Sequence, residues 1–104
     1  MKRFPQLHII ESSCSAPSVE VTGTMTIGRD TANDIVLAEA TISRCHALLL
    51  TRAGHVAVMD LRSANGTFVN GVQVQPDAPV RLADGDLIRM GRVIARYSAP
   101  RDLE

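Results

Sequence analysis

The chain has 104 residues, 45% of them hydrophobic, and its 11 Lys plus Arg balance 11 Asp plus Glu to a formal net charge of zero. That length suffices for one domain with a self-sufficient core, and the charge balance excludes a global field that would draw the protein to nucleic acid or an anionic membrane. Cys14 and Cys45 lack the spacing of a disulfide framework or a zinc site, and Pro5, Gln6, His8 and Glu11 interrupt the apolar run after Met1-Lys2-Arg3, so no signal peptide is expected and a reducing, cytoplasmic setting is.

Residues 1–6 read as an N-terminal tail, 7–97 as the domain and 98–104 as a polar C-terminal tail. Short aliphatic and β-branched segments alternate with turn signals, the pattern of an all-β sandwich or barrel. In chain order the expected strands are Leu7 to Glu11, Val19 to Thr22, Thr24 to Gly28, Ile35 to Leu37, Ala47 to Thr51 and His55 to Asp60. Thr67 to Val69, Val72 to Val74, Val80 to Leu82, Asp86 to Met90 and Val93 to Tyr97 complete eleven. Val19 and Val21, like Val72 and Val74, alternate with polar neighbours, which predicts one face on a core and one in water. Asn70-Gly71 predicts a type I′ hairpin, because that turn needs positive φ at both central residues. Asp84-Gly85 and Gly91 predict further turns, while Ser12 to Ser18 and Gln75 to Pro79 read as loops. One segment conflicts with this pattern. Between Ala38 and Ala53 there is no glycine or proline, and Ile42, Cys45, His46 and Leu49 fall at helical spacing. Leu48-Leu49-Leu50 suits a buried strand equally well, and the β signals around it decide for a strand.

Gly28-Arg29, Ser43-Arg44-Cys45-His46 and Asn65-Gly66-Thr67 place cationic, hydroxyl and amide donors at three separated loop positions. Brought together by folding, they form the donor set of a small anion site. An arginine fork meets phosphate oxygens with planar, charge-assisted donors. An asparagine amide offers both a donor and an acceptor to an extended main chain. Each residue also has a plainer reading. Arg29 can pair with Asp30 or Asp34, Ser43 can bond its own backbone, Arg44 can be a solvated charge, and Asn65 can serve the turn before Gly66.

With Asn70-Gly71 and the Gly85-Asp86 turn, these motifs make the chain resemble a forkhead-associated (FHA) domain, a phosphothreonine-peptide-binding module, over about Val19 to Tyr97. The resemblance implies an eleven-stranded β-sandwich with its binding loops at one end. It implies that Arg29, Ser43 and Arg44 bind phosphate, Ser43 through both hydroxyl and backbone N–H, and that Asn65 holds the peptide backbone. His46 would brace the loops, with Gly28, Gly66, Thr67, Asn70 and Gly71 as structural support. Many family members carry Ser or Thr where this chain has Ala64, and Ser63 stands one place too early to replace it. The expected partner is a phosphothreonine-containing protein or peptide in signalling, bound by a monomer that uses no metal or cofactor and engages neither membrane nor nucleic acid. Three aromatic residues are too few for a base-stacking platform.

Two other functions fit parts of this pattern. The same fold could serve as a phosphate-independent interaction or self-association module. An enzyme would need Ser43, His46 and Asp60 as a hydrolytic triad, yet no strained nucleophile turn or oxyanion loop accompanies the serine.

Overall fold

The computed structural model describes residues 4–11 and 18–100. The loop read at Ser12 to Ser18, with Cys14, lies outside them except for Ser18. Eleven strands form: β1 (Gln6–Glu11), β2 (Ser18–Glu20), β3 (Met25–Gly28), β4 (Ile35–Val36), β5 (Ala47–Arg52), β6 (His55–Asp60), β7 (Thr67–Val69), β8 (Val72–Gln73), β9 (Val80–Arg81), β10 (Leu87–Met90) and β11 (Val93–Ser98). β1 opens and β11 closes one residue beyond the expected limits of 7 and 97. One sheet has six strands in the order β2-β1-β11-β10-β7-β8, and the other five in the order β4-β3-β5-β6-β9. Every pairing is antiparallel except β3 with β4. The four edge strands are only two or three residues long, which limits the unpaired backbone open to another chain.

Alternation along the central strands drives the layers together. In β11, Val93, Ala95 and Tyr97 face inward, and in β6 Val56, Val58 and Asp60 do so. Leu7, Ile27, Leu49, Ile88 and Met90 meet them in one continuous apolar core. At roughly 25 cal/mol per Å² of apolar surface removed from water, this burial is the main term favouring the fold. The stretch with helical spacing is a loop followed by β5. Ile42, His46 and Leu49 are all buried, but Cys45 is exposed, so the 3.6-residue coincidence arises from a loop folded onto the core.

Asn70 and Gly71 take φ values of 51° and 83°, the pair of positive angles a type I′ turn requires. Gly85 and Gly91 turn the chain at φ 89° and 57°. The expectation for Val72 fails. Val74 is buried, but Val72 is 71% exposed, because β8 is a two-residue edge strand and Val72 sits beside the turn with nothing stacked over it.

β3 ends, β5 begins, β6 ends and β7 begins at the same end of the sandwich, and the β10–β11 turn arrives there as well. The loops between these strands are tied together across the two sheets by the hydrogen bonds described next. No helix among the described residues is long and apolar enough to cross a membrane.

Candidate functional site

The β4–β5 loop (residues 37–46) is the hub, and four of its carbonyl oxygens in succession accept hydrogen bonds from other loops. Thr41 O takes Asn65 Nδ2 at 2.8 Å, Ile42 O takes Arg29 Nε at 3.0 Å, and Ser43 O takes Arg29 N–H at 3.0 Å. Arg44 O takes Asn33 Nδ2 at 2.7 Å and Asp30 N–H at 3.3 Å. Residues 28–33, 41–46 and 64–66 are thereby fixed to one another by backbone chemistry, whatever ligand they meet. Gly28 makes the approach possible, since a Cβ there would overlap the Arg44 carbonyl and lie 2.6 Å from Asn33 Nδ2.

His46 joins the second pair of loops. It is fully buried, its Nδ1 lies 3.1 Å from Ser43 N and its Nε2 3.0 Å from Gly66 O. A backbone N–H can only donate and a carbonyl only accept, so the imidazole is neutral with its proton on Nε2. Burial pushes its pKa below the ordinary value, against the opposing pull of Gly66 O and Asp60. This corrects one expectation: the Ser43 N–H is held by His46. What Ser43 keeps for a ligand is its hydroxyl proton, because Oγ already accepts the Ala64 N–H at 2.9 Å.

The same contacts dispose of the triad. His46 bonds backbone groups and makes no hydrogen bond to Ser43 Oγ or to Asp60. Asp60 is buried and accepts the Ser63 N–H at 3.1 Å, the Ser63 hydroxyl at 2.6 Å and the Thr67 hydroxyl at 2.7 Å. Ser63 also accepts Gly66 N–H at 3.0 Å, so it is committed to shaping its own loop and does not replace the hydroxyl missing at Ala64. Thr67 supports that loop from beneath, and Gly66 turns it at φ 82°. Asn70 and Gly71 lie at the far end of β7. Asn70 Oδ1 accepts Leu87 N–H at 3.0 Å and its Nδ2 donates to Asp86, so the pair sets the β7–β8 hairpin away from the site.

Arg29, Asp30, Ser43, Arg44 and Cys45 line an open hollow of ≈ 580 Å³. Arg29 is exposed and tethered through Nε, and neither Nη group makes a hydrogen bond among the described residues. Neither Asp30 nor Asp34 pairs with it. Asp34 accepts Thr26 N–H at 2.9 Å, Asp30 Oδ1 accepts Ala32 N–H at 3.0 Å, and the one ion pair among the described residues is Arg62 with Asp77. Arg44 is exposed, and its own N–H makes no hydrogen bond among the described residues. Arg29, Ser43 and Arg44 thus bring two basic side chains and a hydroxyl to the lining of one hollow with room for a tetrahedral oxyanion. Asn65 is exposed and bonded to Thr41 O, two residues before Ser43, and its Oδ1 makes no hydrogen bond among the described residues. Among the described residues no group of His, Cys, Asp and Glu is arranged to hold a metal.

Three residues that hold the site, Asn33, Glu39 and Thr41, were not singled out in the sequence. Asn33 pins the β3–β4 loop to Arg44 O. Glu39 is 6% exposed and takes both the N–H and the hydroxyl of Thr41. Those hydrogen bonds, with Arg92 nearby, hold the Glu39 carboxyl below the usual carboxylate range against the effect of burial. The signal was a lone acid within the apolar run Leu37 to Ile42, which needs donors at short range to be buried there.

The family model for the FHA domain matches residues 25–91. Over 71 residues the chain is 46% identical to the ABC transporter ATP-binding/permease protein Rv1747 of Mycobacterium tuberculosis, a match that covers 68% of this chain and 8% of that protein. The chain spans less than half the length of the curated relatives it matches. Among solved structures, Mycobacterium tuberculosis EmbR in complex with a low affinity phosphopeptide is 30% identical with a TM-score of 0.83, covering 97% of this chain and 26% of that one. A structure described in terms of phosphothreonine-dependent FHA domain interactions is 28% identical with a TM-score of 0.83, covering 97% of this chain and 100% of that one.

Proposed function

This chain belongs to the FHA domain family, and we propose that it binds phosphothreonine-containing peptides, making a protein-protein interaction in signalling depend on phosphorylation. The observation that carries the reading is the hollow at Arg29, Ser43 and Arg44, built from loops that bond to one another and leave their cationic and hydroxyl donors unused. The phosphate is held by the Arg29 Nη groups, the Ser43 hydroxyl proton and the side chain and N–H of Arg44. Asn65 takes the peptide main chain through its free amide atoms. The module spans residues 7–97 and works as a cytoplasmic monomer, with no catalysis, cofactor or nucleic acid.

Phosphorylation acts through charge. It brings about 1.5 to 2 negative charges and three acceptor oxygens to a threonine. Each charge-assisted hydrogen bond contributes roughly 1.5 to 3 kcal/mol, so removing the phosphate forfeits two or more and lowers affinity by about a hundredfold or more. The relatives' regulatory and phosphopeptide contexts support this reading. A phosphothreonine peptide pool and its unphosphorylated counterpart, titrated calorimetrically, test it. Binding of the phosphorylated pool alone is expected. Equal binding of both would instead favour the phosphate-independent interaction module.

A further inference from the structure

Asn65 can read a peptide main chain only if its amide is presented in one orientation, since the carboxamide exchanges donor for acceptor when it turns over. What fixes it here is a backbone atom, the Thr41 carbonyl, 2.8 Å from Nδ2. Thr41 is itself held from three directions. Its N–H donates to Glu39 Oε1 at 3.1 Å, its hydroxyl donates to Glu39 Oε2, and its Oγ1 accepts the Arg92 N–H at 2.8 Å. Gly91, at φ 57°, presses against the same residue, and a Cβ there would lie 2.6 Å from Thr41 O and closer still to Oγ1. The β10–β11 turn of one sheet thus closes on the β4–β5 loop of the other, and both determine where the Asn65 amide lies.

We infer that Thr41, clamped by the Glu39 carboxylate and the Arg92 N–H, is a positioning residue that orients the Asn65 amide toward the main chain of a bound peptide and does not contact the phosphate. This rests on the phosphothreonine-peptide reading above. It separates two functions within one site. Arg29, Ser43 and Arg44 hold the phosphate through a hollow that Thr41 does not line, whereas the Glu39–Thr41–Asn65 relay reads the backbone on either side of it. The hydroxyl is the critical atom, being both the donor to Glu39 and the acceptor for Arg92. Valine keeps the shape of threonine and lacks both, while serine keeps both.

The test uses the chain with Thr41→Val, Thr41→Ser, Glu39→Gln and Asn65→Ala, each titrated with a phosphothreonine peptide pool and with free O-phosphothreonine, the latter followed by NMR at the Ser43 and Arg44 amides. Thr41→Val and Glu39→Gln are expected to weaken the peptide by about five- to tenfold, the equivalent of one neutral hydrogen bond. Thr41→Ser should stay within about twofold of the parent. Free O-phosphothreonine, which lacks flanking peptide bonds, should bind the Thr41 and Glu39 variants like the parent. Thr41→Val should cause no further loss in the Asn65→Ala background, and in the single variant the two Asn65 side-chain amide protons should become more alike in shift. If neither Thr41→Val nor Glu39→Gln weakens the peptide, or if Thr41→Val costs as much without Asn65 as with it, the inference is overturned while phosphothreonine binding stands. If the parent does not distinguish phosphorylated from unphosphorylated peptide, the phosphothreonine reading fails and takes the inference with it. Thermal unfolding separates a misfolded variant from a loosened one. Should Thr41→Val fail to fold, Glu39→Gln and Thr41→Ser decide the matter.

Discussion

Replacing Arg29 separates charge from geometry at the phosphate site. The guanidinium is exposed, and its one side-chain hydrogen bond among the described residues is the 3.0 Å bond from Nε to Ile42 O, which orients its plane before a ligand arrives. In the proposed function both Nη groups donate to phosphate. Arg29→Ala removes two charge-assisted bonds of roughly 1.5 to 3 kcal/mol each. Because Arg44 and Ser43 remain and the site is open to water, the net cost is about 2 to 5 kcal/mol, or about 30- to 4,000-fold in Kd. Arg29→Lys keeps the charge but loses both the Nε tether and the planar fork. Its cost should be intermediate, about 1 to 2.5 kcal/mol or about 5- to 60-fold. Calorimetric titration with one phosphothreonine peptide, alongside thermal unfolding, measures both effects. The fold should lose no more than about 1.5 kcal/mol, since one hydrogen bond at an exposed loop is all that goes. Parent-like affinity in Arg29→Ala would refute the assignment of the phosphate contact. Parent-like affinity in Arg29→Lys would show that a point charge suffices and that the preset plane is irrelevant.

Other substitutions probe the supports. Ser43→Ala removes the hydroxyl proton offered to phosphate and the acceptor for Ala64 N–H, and should weaken the phosphopeptide by about 1.5 to 3 kcal/mol in the same titration; an unchanged Kd would assign the hydroxyl to loop structure alone. Gly28→Ala drives a methyl into the Arg44 carbonyl, a backbone atom that cannot step aside, so it should lower the unfolding temperature and abolish phosphopeptide binding together; a stable, fully binding variant would show that this approach is not required. His46 has a folded pKa below its unfolded one, so as pH falls through the ordinary histidine range the unfolded state takes up a proton first and stability declines. Denaturant unfolding at pH 7.5 and 5.5 should show a steeper loss for the parent than for His46→Gln, and equal slopes would mean that His46 is not the titrating group. The Glu39 contribution lies in a separate, more acidic window, lost as pH falls below the ordinary carboxylate value through its lowered one.

Residues whose effect is local were readable before the fold was known. Asn70-Gly71 specifies its turn by φ alone, and Arg29, Ser43, Arg44 and Asn65 carry functional groups whose convergence requires only that three loops share one end. What the sequence does not display depends on which partner each polar atom finds. The Ser43 N–H could be assigned only once the imidazole of His46 lay beside it with Gly66 O on the far nitrogen, because that arrangement fixes the tautomer. Asp34 stood close enough to Arg29 in sequence to suggest a pair, but the parallel β3–β4 ladder turns it toward Thr26. Val72 kept the alternation of a core strand, yet its strand ended before anything covered it. Glu39 stands out in linear order only as a lone acid in an apolar run, and which donors satisfy it, the N–H and hydroxyl of Thr41, emerges only from the fold.

The central claim is that phosphate and peptide are met at the loop end of the sandwich by Arg29, Ser43, Arg44 and Asn65. Backbone and side-chain amide NMR of the chain, titrated with a phosphothreonine peptide and with its unphosphorylated twin, tests this most directly. Saturable shifts centred on residues 28–30, 43–46 and 64–66 are expected with the phosphorylated peptide alone. Shifts of similar size with both peptides, or shifts confined to the opposite end around Ala53, Gly54 and Asn70, would contradict it.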